Sequence, residues 1–532
     1  MRRVVVIISL FLSLTIGIAA AAPPDPVLHE KALGYVDYIQ NWASNGFGPW
    51  EDWDSIGGVC EQTYTDETLT ELERLRGSGD STIWTGMYCA SQALRYMSTG
   101  EEAARDEVLR VAAYLHHVKE VTGTPGYVAR FVALDEEPWN REYVGHDSKI
   151  LGEGEYEGFY WVDNTSRDQY TGWWLGLSLA YEAVDDPDMR ATIRADFKDV
   201  IDTLVENHWR IVDQDGIVDG NGAASVLPTL RLSWVLQAAS VGADPSYWDL
   251  FDELWDNWAW YLWLDNFTWL NTYGQYFGFN LNHNTFLQLF RLIPDRERFD
   301  YLWRMWNFSV RKWVQWTHNA WFDSVYLAGC HRGGMCEAPE IEDIGADIVN
   351  TLTIFQEAPN QAFNRTPPEL PLDPFSVIMD QLQEWLPFLE DIFGISVRTK
   401  EPHDFENRCW SDMIWQRTPY HISCSEQPAN RVGPGTDYSI AYWTAFYYGA
   451  VPSDGPYGDD DLGDDDDDTT DDDTTDDDTA GDDDTIDDDD DADDDSVDDD
   501  DDAVGDDDDT DDGVNDTDDD DDDDNDDSGC GL

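Results

Sequence analysis

One stretch, residues 77–105, constrains the fold more than any other part of this 532-residue chain. Asp80 follows a Gly-Ser-Gly turn and stands directly before a helical pattern, where an acidic side chain can accept hydrogen bonds from the first turn of a helix. Gly100 marks the end of that helix, and Glu101 begins a second helix at once. The sequence therefore predicts a fold that is built of helical hairpins.

The same hairpin recurs along the chain. Asp168 precedes Gly172 much as Asp80 precedes Gly86, and each first helix is followed by a charged partner helix. A glycine inside each first helix lets a neighbouring helix approach closely. Helical periodicity predicts helices at about 27–42, 81–98, 101–121, 168–184, 187–207, 224–241, 246–262, 281–292, 295–317, 340–357, 374–393 and 436–449.

Hairpins with an apolar or aromatic first helix and an amphipathic second helix indicate two concentric rings. We therefore predict an all-α fold, an (α/α)6 toroid of helical hairpins over residues 23–453, with a cleft at one end of the inner helices. A linear α-solenoid is the alternative, which the irregular hairpin lengths and the Trp-rich loops disfavour. Short strands are expected in part of the long connection 123–166.

The C-terminal region has a composition that cannot form a core. Residues 454–527 hold 47 Asp and no Glu, Lys or Arg, so we predict a disordered low-complexity linker that can associate with Ca²⁺. Without this linker, 66 acidic residues remain against 31 basic ones, a charge of about −35, which argues against nucleic acid as a partner. In the terminal segment 528–532, Cys530 is predicted as a point of cell-envelope attachment.

Residues 1–22 combine two arginines, an apolar run and four alanines, which is the pattern of a secretory signal peptide. An uncleaved anchor helix is the alternative, but the apolar run is shorter than the ~20 residues that span a bilayer. We therefore predict a protein that is secreted or held at the cell surface, and the resemblance described below implies a bacterial one.

Export permits disulfide bonds, and three pairs are predicted among the seven cysteines: Cys330–Cys336, Cys409–Cys424 and Cys60–Cys89. Zinc is the competing interpretation, but no pair has the two-residue spacing of a zinc knuckle. Asp213, Asp215 and Asp219 alternate like Ca²⁺ ligands but lack a closing Glu, which favours a plain Asp-Gly turn. We predict no metal site and, without a glycine-rich phosphate loop, no cofactor.

Four blocks occur in order over residues 77–449: GDSTIWTGMYCASQALRYMSTGEEA, VTGTPGYVAR, NTSRDQYTGWWLGLSLAYEAVDDP and PGTDYSIAYWTAFYYGA. They resemble an uncharacterised bacterial group of six-hairpin glycosidase-like domains. The resemblance implies a toroid of the kind that serves glycoside hydrolases and polysaccharide lyases, although a fold does not fix a reaction. The sequence departs from that group near Asn280 and His283, where a more acidic segment is expected, so no role is carried over there.

Glycoside hydrolysis needs two carboxyls that flank the scissile bond. Asp80 and Asp168 begin two different inner helices, so both can lie at the same mouth of the toroid, and we predict them as the catalytic pair. Capping of the two helices is the alternative role for both residues. Asp163 and Asp437 are further carboxyls of the same type.

Aromatic rings, arginines and amides are the side chains expected to bind sugars. The predicted substrate-binding residues are Trp84, Arg130, Arg167, Trp173, Trp174, Trp269, Tyr273, Asn282 and His283. Core packing is the alternative for the tryptophans, and salt bridging is the alternative for the arginines. Tyr273, Asn282 and His283 also suit a polysaccharide lyase, in which Asn neutralises a uronate and His or Tyr abstracts a proton.

The sequence thus predicts an exported carbohydrate-active enzyme that binds a carbohydrate substrate, with a glycoside hydrolase on a poly- or oligosaccharide as the first interpretation. A lyase on acidic polysaccharide and a non-catalytic surface carbohydrate-binding protein are the alternatives. A hydrolase requires two converging carboxyls, whereas a lyase requires an accessible His283 beside a tyrosine. A binding protein requires an aromatic cleft without either set.

Overall fold

The structure is a computed structural model that describes seven parts of the chain: 26–41, 58–218, 225–265, 276–361, 401–408, 413–420 and 429–451. In these parts the helices are α1 (Pro26–Asn41), α2 (Ser81–Thr99), α3 (Glu102–Glu120), α4 (Arg167–Ala183), α5 (Pro187–Glu206), α6 (Pro228–Ser240), α7 (Tyr247–Trp258), α8 (Leu262–Asp265), α9 (Phe277–Leu292), α10 (Arg296–Ser309), α11 (Ala320–Gly333), α12 (Ala338–Ile354) and α13 (Thr436–Tyr447). Within the same parts, no helix has both the length and the apolar character needed to cross a membrane. The predicted signal peptide, the helix at 374–393 and the Asp-rich tail lie outside the described residues.

The inner ring is closed. Going round it, α2 contacts α4, α4 contacts α6, and the contacts continue through α9, α11 and α13 back to α2. Each inner helix packs against an outer partner: α3, α5, α7, α10 and α12 follow the first five, and α1 lies against α13. In the part of the chain that is described, these six hairpins form the predicted (α/α)6 toroid. The alternative of a linear solenoid is wrong, because the last inner helix packs directly on the first.

The helices α2 and α4 cross with their backbones in contact. A Cβ atom placed on Gly172 would lie 2.3 Å from the Cα of Ile83, and one on Gly176 would lie 2.6 Å from the carbonyl oxygen of Gly86. Only glycine leaves room for this approach, which confirms the expectation from the paired motifs. The contacts advance in the same direction along both helices, so α2 and α4 run parallel and begin at the same end of the ring.

Side chains fill the centre of the ring. Met87 of α2 and Asn284 of α9 are both buried, and the Asn284 amide lies 3.5 Å from the Met87 sulfur. These two helices are opposite members of the ring. The ring is therefore packed at this level, and any site must lie at one of its ends.

Short strands precede several of the inner helices. One antiparallel sheet has the order β2-β1-β6, from β1 (Glu61–Tyr64), β2 (Leu72–Arg76) and β6 (Arg431–Val432). The other has the order β3-β5-β4, from β3 (Val132–Leu134), β4 (Lys149–Leu151) and β5 (Phe159–Val162). The strands expected in the connection before α4 are thus confirmed. Because β2 ends shortly before α2 and β5 shortly before α4, the two sheets fix where those helices begin.

Local chemistry explains where some helices differ from the predicted bounds. Pro228 opens α6, as expected for a residue whose ring suits the first helical position, so the helix begins later than 224. The helix α10 ends at Ser309 and not near 317, because Arg311–Trp313 form a separate 3₁₀ turn and His318 has a φ of 49°.

The cysteines are only partly paired as predicted. The disulfide between Cys330 and Cys336 is present, whereas Cys60 and Cys89 are buried free thiols, so their predicted bond is wrong. The N–H of Val59 donates to the hydroxyl of Thr85 over 2.9 Å, which holds Cys60 beside the early part of α2. Cys89 lies a turn further along that helix and packs against α4. The predicted pair Cys409–Cys424 lies outside the described residues.

Candidate active site at the start of two inner helices

Asp80 does not cap its helix. It occupies the N-cap position of α2, yet its carboxylate makes no capping hydrogen bond. The first-turn N–H groups donate elsewhere, from Thr82 to the backbone oxygen of Arg130 over 3.1 Å and from Ile83 to the side-chain oxygen of Gln169 over 3.2 Å. Since such N–H groups are what a capping Asp satisfies, these partners leave the Asp80 carboxylate for another role.

Aspartates at two outer helices behave differently. Asp186 accepts a hydrogen bond from the N–H of Met189 over 2.9 Å at the start of α5, and Asp295 accepts one from Arg298 over 2.8 Å at the start of α10. The inner helix α4 resembles α2, because its N-cap residue makes no side-chain cap bond. Asp168 lies in the first turn of α4, where the helix dipole favours a negative charge.

Gln169 joins the starts of α2 and α4. Its buried amide accepts from the N–H of Ile83, and its Nε2 donates to Oδ1 of Asp80 over 3.3 Å. Gln169 directly follows Asp168, so the two half-buried aspartates belong to helix starts that lie side by side. The sequence carried a signal for this residue, since positions 169, 172 and 176 share one face of a helix and the two glycines mark the face that meets α2.

Arg130 fixes the loops that lead into these helices. Its Nη1 donates to the carbonyl oxygen of Gly79 over 2.8 Å, and its Nε donates to that of Asn164 over 2.6 Å. Next to Asn164, the carboxylate of Asp163 accepts a hydrogen bond from the phenol of Tyr127 over 2.6 Å. The guanidinium therefore connects the turn before α2 to the loop before α4. The predicted contact of Arg130 with a substrate stays a prediction.

Glu142 is a carboxyl at this site that sequence reasoning missed. It accepts hydrogen bonds from the N–H of Gly77, over 3.0 Å, and from the hydroxyl of Ser78, both in the turn that ends at Asp80. Burial raises the pKa of Glu142. The pKa of Tyr143 is also raised, by burial first and then by the negative charges of Glu142 and Asp80, so one phenol lies near both carboxyls. Glu142 belongs to an irregular connection with many acids, and nothing in the linear sequence singles it out.

Three predicted stacking residues belong to the core. Trp84, Trp173 and Trp174 are almost completely buried. The indole N–H of Trp173 donates to a backbone oxygen of α3 over 2.8 Å, and the ring of Trp174 lies 4.0 Å from that of Phe197 and is nearly parallel to that of Trp234. Buried indoles present no face to a sugar, so their predicted substrate-binding role is corrected to core packing.

His283 is also a core residue. Its ring stacks on Phe322 with centroids 3.8 Å apart, meets Trp306 edge-on at 5.2 Å, and places Nδ1 2.6 Å from the carbonyl oxygen of Phe279. Burial lowers the pKa of His283 to about 3. A fully buried imidazole cannot reach a polymer, which corrects its predicted role as a substrate-binding residue or lyase base. Asn282 is half-buried and bonds to its own helix, and its substrate contact stays a prediction.

The remaining candidate site residues are Arg167, Trp269, Tyr273 and Asp437. Arg167 is half-buried at the start of α4, and its Nη1 donates to the carbonyl oxygen of Ser225 over 3.2 Å. Trp269 and Tyr273 lie outside the described residues. Asp437 is buried in the first turn of α13, where burial raises its pKa to about 7.

One cluster on the outer ring has the residue types of a metal site. His116, Glu120 and Asp196 each place a ligand atom within 4.8 Å of the others. However, the ammonium of Lys119 lies 2.7 Å from Glu120 and 2.9 Å from Asp199. The lysine supplies the positive charge that these carboxylates need, so we interpret the cluster as an ion-pair network between α3 and α5.

No family model matches the chain, and no curated protein matches it. Among solved structures, the chain is similar to an endoglucanase from the termite Nasutitermes takasagoensis, with a TM-score of 0.40 and 12% sequence identity. The alignment covers 79% of this chain and 98% of the termite chain. The class that the fold defines, an (α/α)6 toroid, rests on the closed ring of inner helices in the described chain.

Proposed function

We propose that this chain is an exported glycoside hydrolase that acts on a poly- or oligosaccharide and uses Asp80 and Asp168 as its two carboxyls. The observation that carries the proposal is the state of Asp80. Its half-buried carboxylate begins an inner helix without capping it, and Gln169 holds it beside the start of a second inner helix. We also propose that the chain belongs with the six-hairpin glycosidase-like group that its sequence blocks resemble.

The chemistry needs one carboxyl to protonate the leaving oxygen and another to act as base or nucleophile. The proposed pair comes from two helices whose starts adjoin, and both residues are partly exposed, which supports the proposal that both carboxyls reach a bound sugar. The bond from Gln169 fixes the orientation of Asp80, and the bonds of Arg130 and Glu142 fix the turn that carries it. Such positioning is worth several orders of magnitude in rate when the reacting groups are aligned.

The alternatives are less well supported. A lyase that uses His283 loses its base, because that imidazole is buried between two aromatic rings. A non-catalytic carbohydrate-binding protein would not need an ionisable side chain held at a helix start without a capping role.

The test is the release of new reducing ends by the purified full chain from a panel of neutral and acidic polysaccharides. We expect wild-type activity on at least one neutral polymer, and a loss of about 10²-fold or more in kcat for Asp80→Asn and for Asp168→Asn at an unchanged melting temperature. Asp186→Ala is the matched control. It removes a carboxylate that does cap a helix, so it should cost about 1 kcal/mol of stability and leave kcat unchanged.

Two results would contradict the proposal. One is the absence of hydrolysis across the panel. The other is a loss of folding that accompanies the loss of activity in both Asp→Asn variants, since that is the result expected of structural residues. Unsaturated products detected by ultraviolet absorbance would instead indicate a lyase.

Export and surface attachment form the second part of the proposal. The signal-like residues 1–22 and the terminal Cys530 support it. Cells that express wild type, a variant without residues 2–22, and Cys530→Ser can be fractionated. We expect the deletion of residues 2–22 to retain the protein inside the cell. We expect Cys530→Ser to increase its release into the medium. Equal release of wild type and Cys530→Ser would remove Cys530 as the anchor.

A further inference from the structure

Four ionisable side chains form a hydrogen-bonded network at the start of α11. Arg311 donates to the carboxyl of Asp323 over 2.5 Å, and both side chains are buried. The carboxyls of Asp323 and Asp347, the latter on α12, share a hydrogen bond. Oδ1 of Asp347 lies 2.7 Å from Nδ1 of His318, whose side chain is 44% exposed. The network therefore begins in the core and ends at an imidazole that water can reach.

The bond between Asp323 and Asp347 requires a proton. Two carboxyls can share a hydrogen bond only when one of them is protonated, because two ionised carboxylates at this separation repel each other. Burial raises the pKa of Asp323 to about 7. Asp323 therefore holds the shared proton in acid and loses it near neutral pH, whereupon its bond to Asp347 is replaced by repulsion.

The proton of His318 acts in the same direction. The hydrogen bond to Asp347 raises the pKa of His318 above its ordinary value of 6.5. A group whose pKa is raised in the folded state stabilises the fold below its unfolded pKa, and this contribution is lost as the pH rises through the folded value. Since this applies to both Asp323 and His318, the complete network forms in acid and is lost around and above pH 7.

The other ionisable groups that face the network keep their charge in this window. Arg311 lies 4.6 Å from the ring of Tyr326, and the charge of Arg408 opposes protonation of His318. Burial lowers the pKa of Arg408 to about 10, which still leaves it charged near neutral pH. Burial raises the pKa values of the Tyr276 and Tyr326 phenols, so both stay neutral. Among the described groups around the network, the shared proton and His318 thus control its charge near pH 7.

One peptide plane connects His318 to the segment 401–408. His318 has a φ of 49°, in the left-handed region, which costs about 1–3 kcal/mol. The carbonyl of Thr317 belongs to the same planar peptide unit as the N–H of His318, so the backbone angle of His318 sets its direction. That carbonyl oxygen accepts a hydrogen bond from the buried guanidinium of Arg408. Without the bond from Asp347, relaxation of the strained backbone turns this carbonyl away from Arg408.

The network lies at the end of the ring where the inner helices begin. The phenol of Tyr276, directly before α9, lies 3.1 Å from the hydroxyl of Thr317, shortly before α11. Trp415 accepts from the N-cap side chain of α11 and donates its indole N–H to the carbonyl oxygen of Asp437, in the first turn of α13, over 2.7 Å. The strands that precede α13 and α2 belong to one sheet, so this is also the end that carries Asp80.

We propose that the proton shared by Asp323 and Asp347 is a pH-sensitive switch, which holds His318 and the segment 401–408 against the start of α11 in acid and releases both above neutral pH. This inference goes beyond the proposed hydrolase and does not depend on it. The switch acts at the same end of the ring as Asp80, but none of its groups belongs to the candidate active site.

The experiment is hydrogen–deuterium exchange of the full chain at pH 5.5 and pH 8.5, with rates corrected for the intrinsic effect of pH. The N–H of Thr317 donates to Val314 over 3.0 Å and that of Arg408 to Phe405 over 3.1 Å, so peptides with these amides report both sides of the contact. We expect their exchange to rise about 10-fold or more at pH 8.5, since one pH unit of differential protonation is about a tenfold change in the opening equilibrium. Peptides from α2 and α4 should stay protected.

Three variants separate the switch from other effects of pH. Asp323→Asn cannot ionise but can still donate to Asp347 and accept from Arg311, so both peptides should stay protected at both pH values. His318→Ala removes the imidazole and keeps the strained backbone, so both peptides should exchange already at pH 5.5. Asp437→Asn is the control, because it removes another buried carboxyl with a pKa of about 7 and should leave the response unchanged.

Several results would overturn the proposal. They are equal protection of the wild-type peptides at both pH values, a wild-type response in folded Asp323→Asn, a rise in exchange by the same factor in α2 and α4, and loss of the response in Asp437→Asn. If Asp323→Asn does not fold, NMR titration of the His318 imidazole decides. A wild-type pKa above 6.5 that falls in Asp347→Asn supports the switch, and a pKa that is the same in both proteins removes it.

Discussion

Gln169 donates a hydrogen bond from its buried side-chain amide to the carboxylate of Asp80 over 3.3 Å, and so links α4 to α2 at the point where both helices begin. The same amide accepts from the backbone of Ile83. The Gln169 side chain thus accepts a hydrogen bond that a capping Asp80 would otherwise accept. It also orients the Asp80 carboxylate. The proposed catalytic role of Asp80 depends on this exchange.

Gln169→Ala should reduce both stability and turnover. The substitution leaves the N–H of Ile83 buried without its acceptor, which costs about 1–3 kcal/mol in the free energy of unfolding, and it releases Asp80 from its fixed orientation. Urea denaturation measures the free energy of unfolding, and steady-state kinetics measure kcat. Gln237→Ala is the control, since Gln237 is a buried glutamine on α6 that bonds within its own helix. An unchanged kcat in Gln169→Ala, with Gln237→Ala equally active, would remove the positioning role.

Gly172→Ala should disrupt the crossing of α2 and α4. The new Cβ would lie 2.3 Å from the Cα of Ile83, so the two backbones must separate, at a cost of about 3 kcal/mol or more in the free energy of unfolding. Gly345→Ala is the control within helix α12, because its nearest non-local atom is 3.5 Å away. That substitution should be neutral or stabilise by up to about 1 kcal/mol. Similar denaturation midpoints for the two variants would contradict the close approach.

Asp437 should make stability fall as pH rises. Burial raises its pKa from 3.8 to about 7, so between these values the unfolded chain ionises while the folded carboxyl stays protonated. The free energy of unfolding should therefore decline through this window, by up to about 1.4 kcal/mol per pH unit from this group, and should level off above pH 7. Asp437→Asn removes the ionisation. We expect the stability of Asp437→Asn relative to wild type to increase from pH 4 to pH 7, and a constant difference would show that the carboxyl titrates normally.

Arg311→Met should be strongly destabilising. Arg311 and Asp323 form a buried pair over 2.5 Å near the start of α11, and the substitution leaves the carboxyl without its cation, at a cost of about 3–5 kcal/mol. Arg105→Met is the control, because Arg105 contacts only exposed carboxylates among its ion-pair partners and should cost less than about 1 kcal/mol. Thermal and urea unfolding measure both. An equally small loss of stability in both variants would mean that water reaches the pair of Arg311 and Asp323.

Local sequence patterns predicted most of the helices and their pairing. The aspartate at Asp80, the glycine at Gly100 and the helical period between them predicted α2 and its turn, and Gly86 and Gly172 predicted the close pair of inner helices. These features were readable because capping, turn formation and helical periodicity depend on residues within a few positions of one another. The disulfide Cys330–Cys336 was predicted for the same reason, since its partners are close in the chain.

Tertiary structure alone decided the roles of the side chains. The sequence could not tell that Asp80 is released from capping, that Trp173 and His283 are buried, or that Glu142 reaches the turn before α2. Each of these depends on a partner far away in the chain, such as Gln169 for Asp80. Contacts of this kind do not affect the local spacing of apolar and polar residues, so the spacing cannot reveal them. The sequence by itself determined where helices form and pair, whereas the packing of the closed ring determined which partner each side chain meets, because those partners are far apart in the chain.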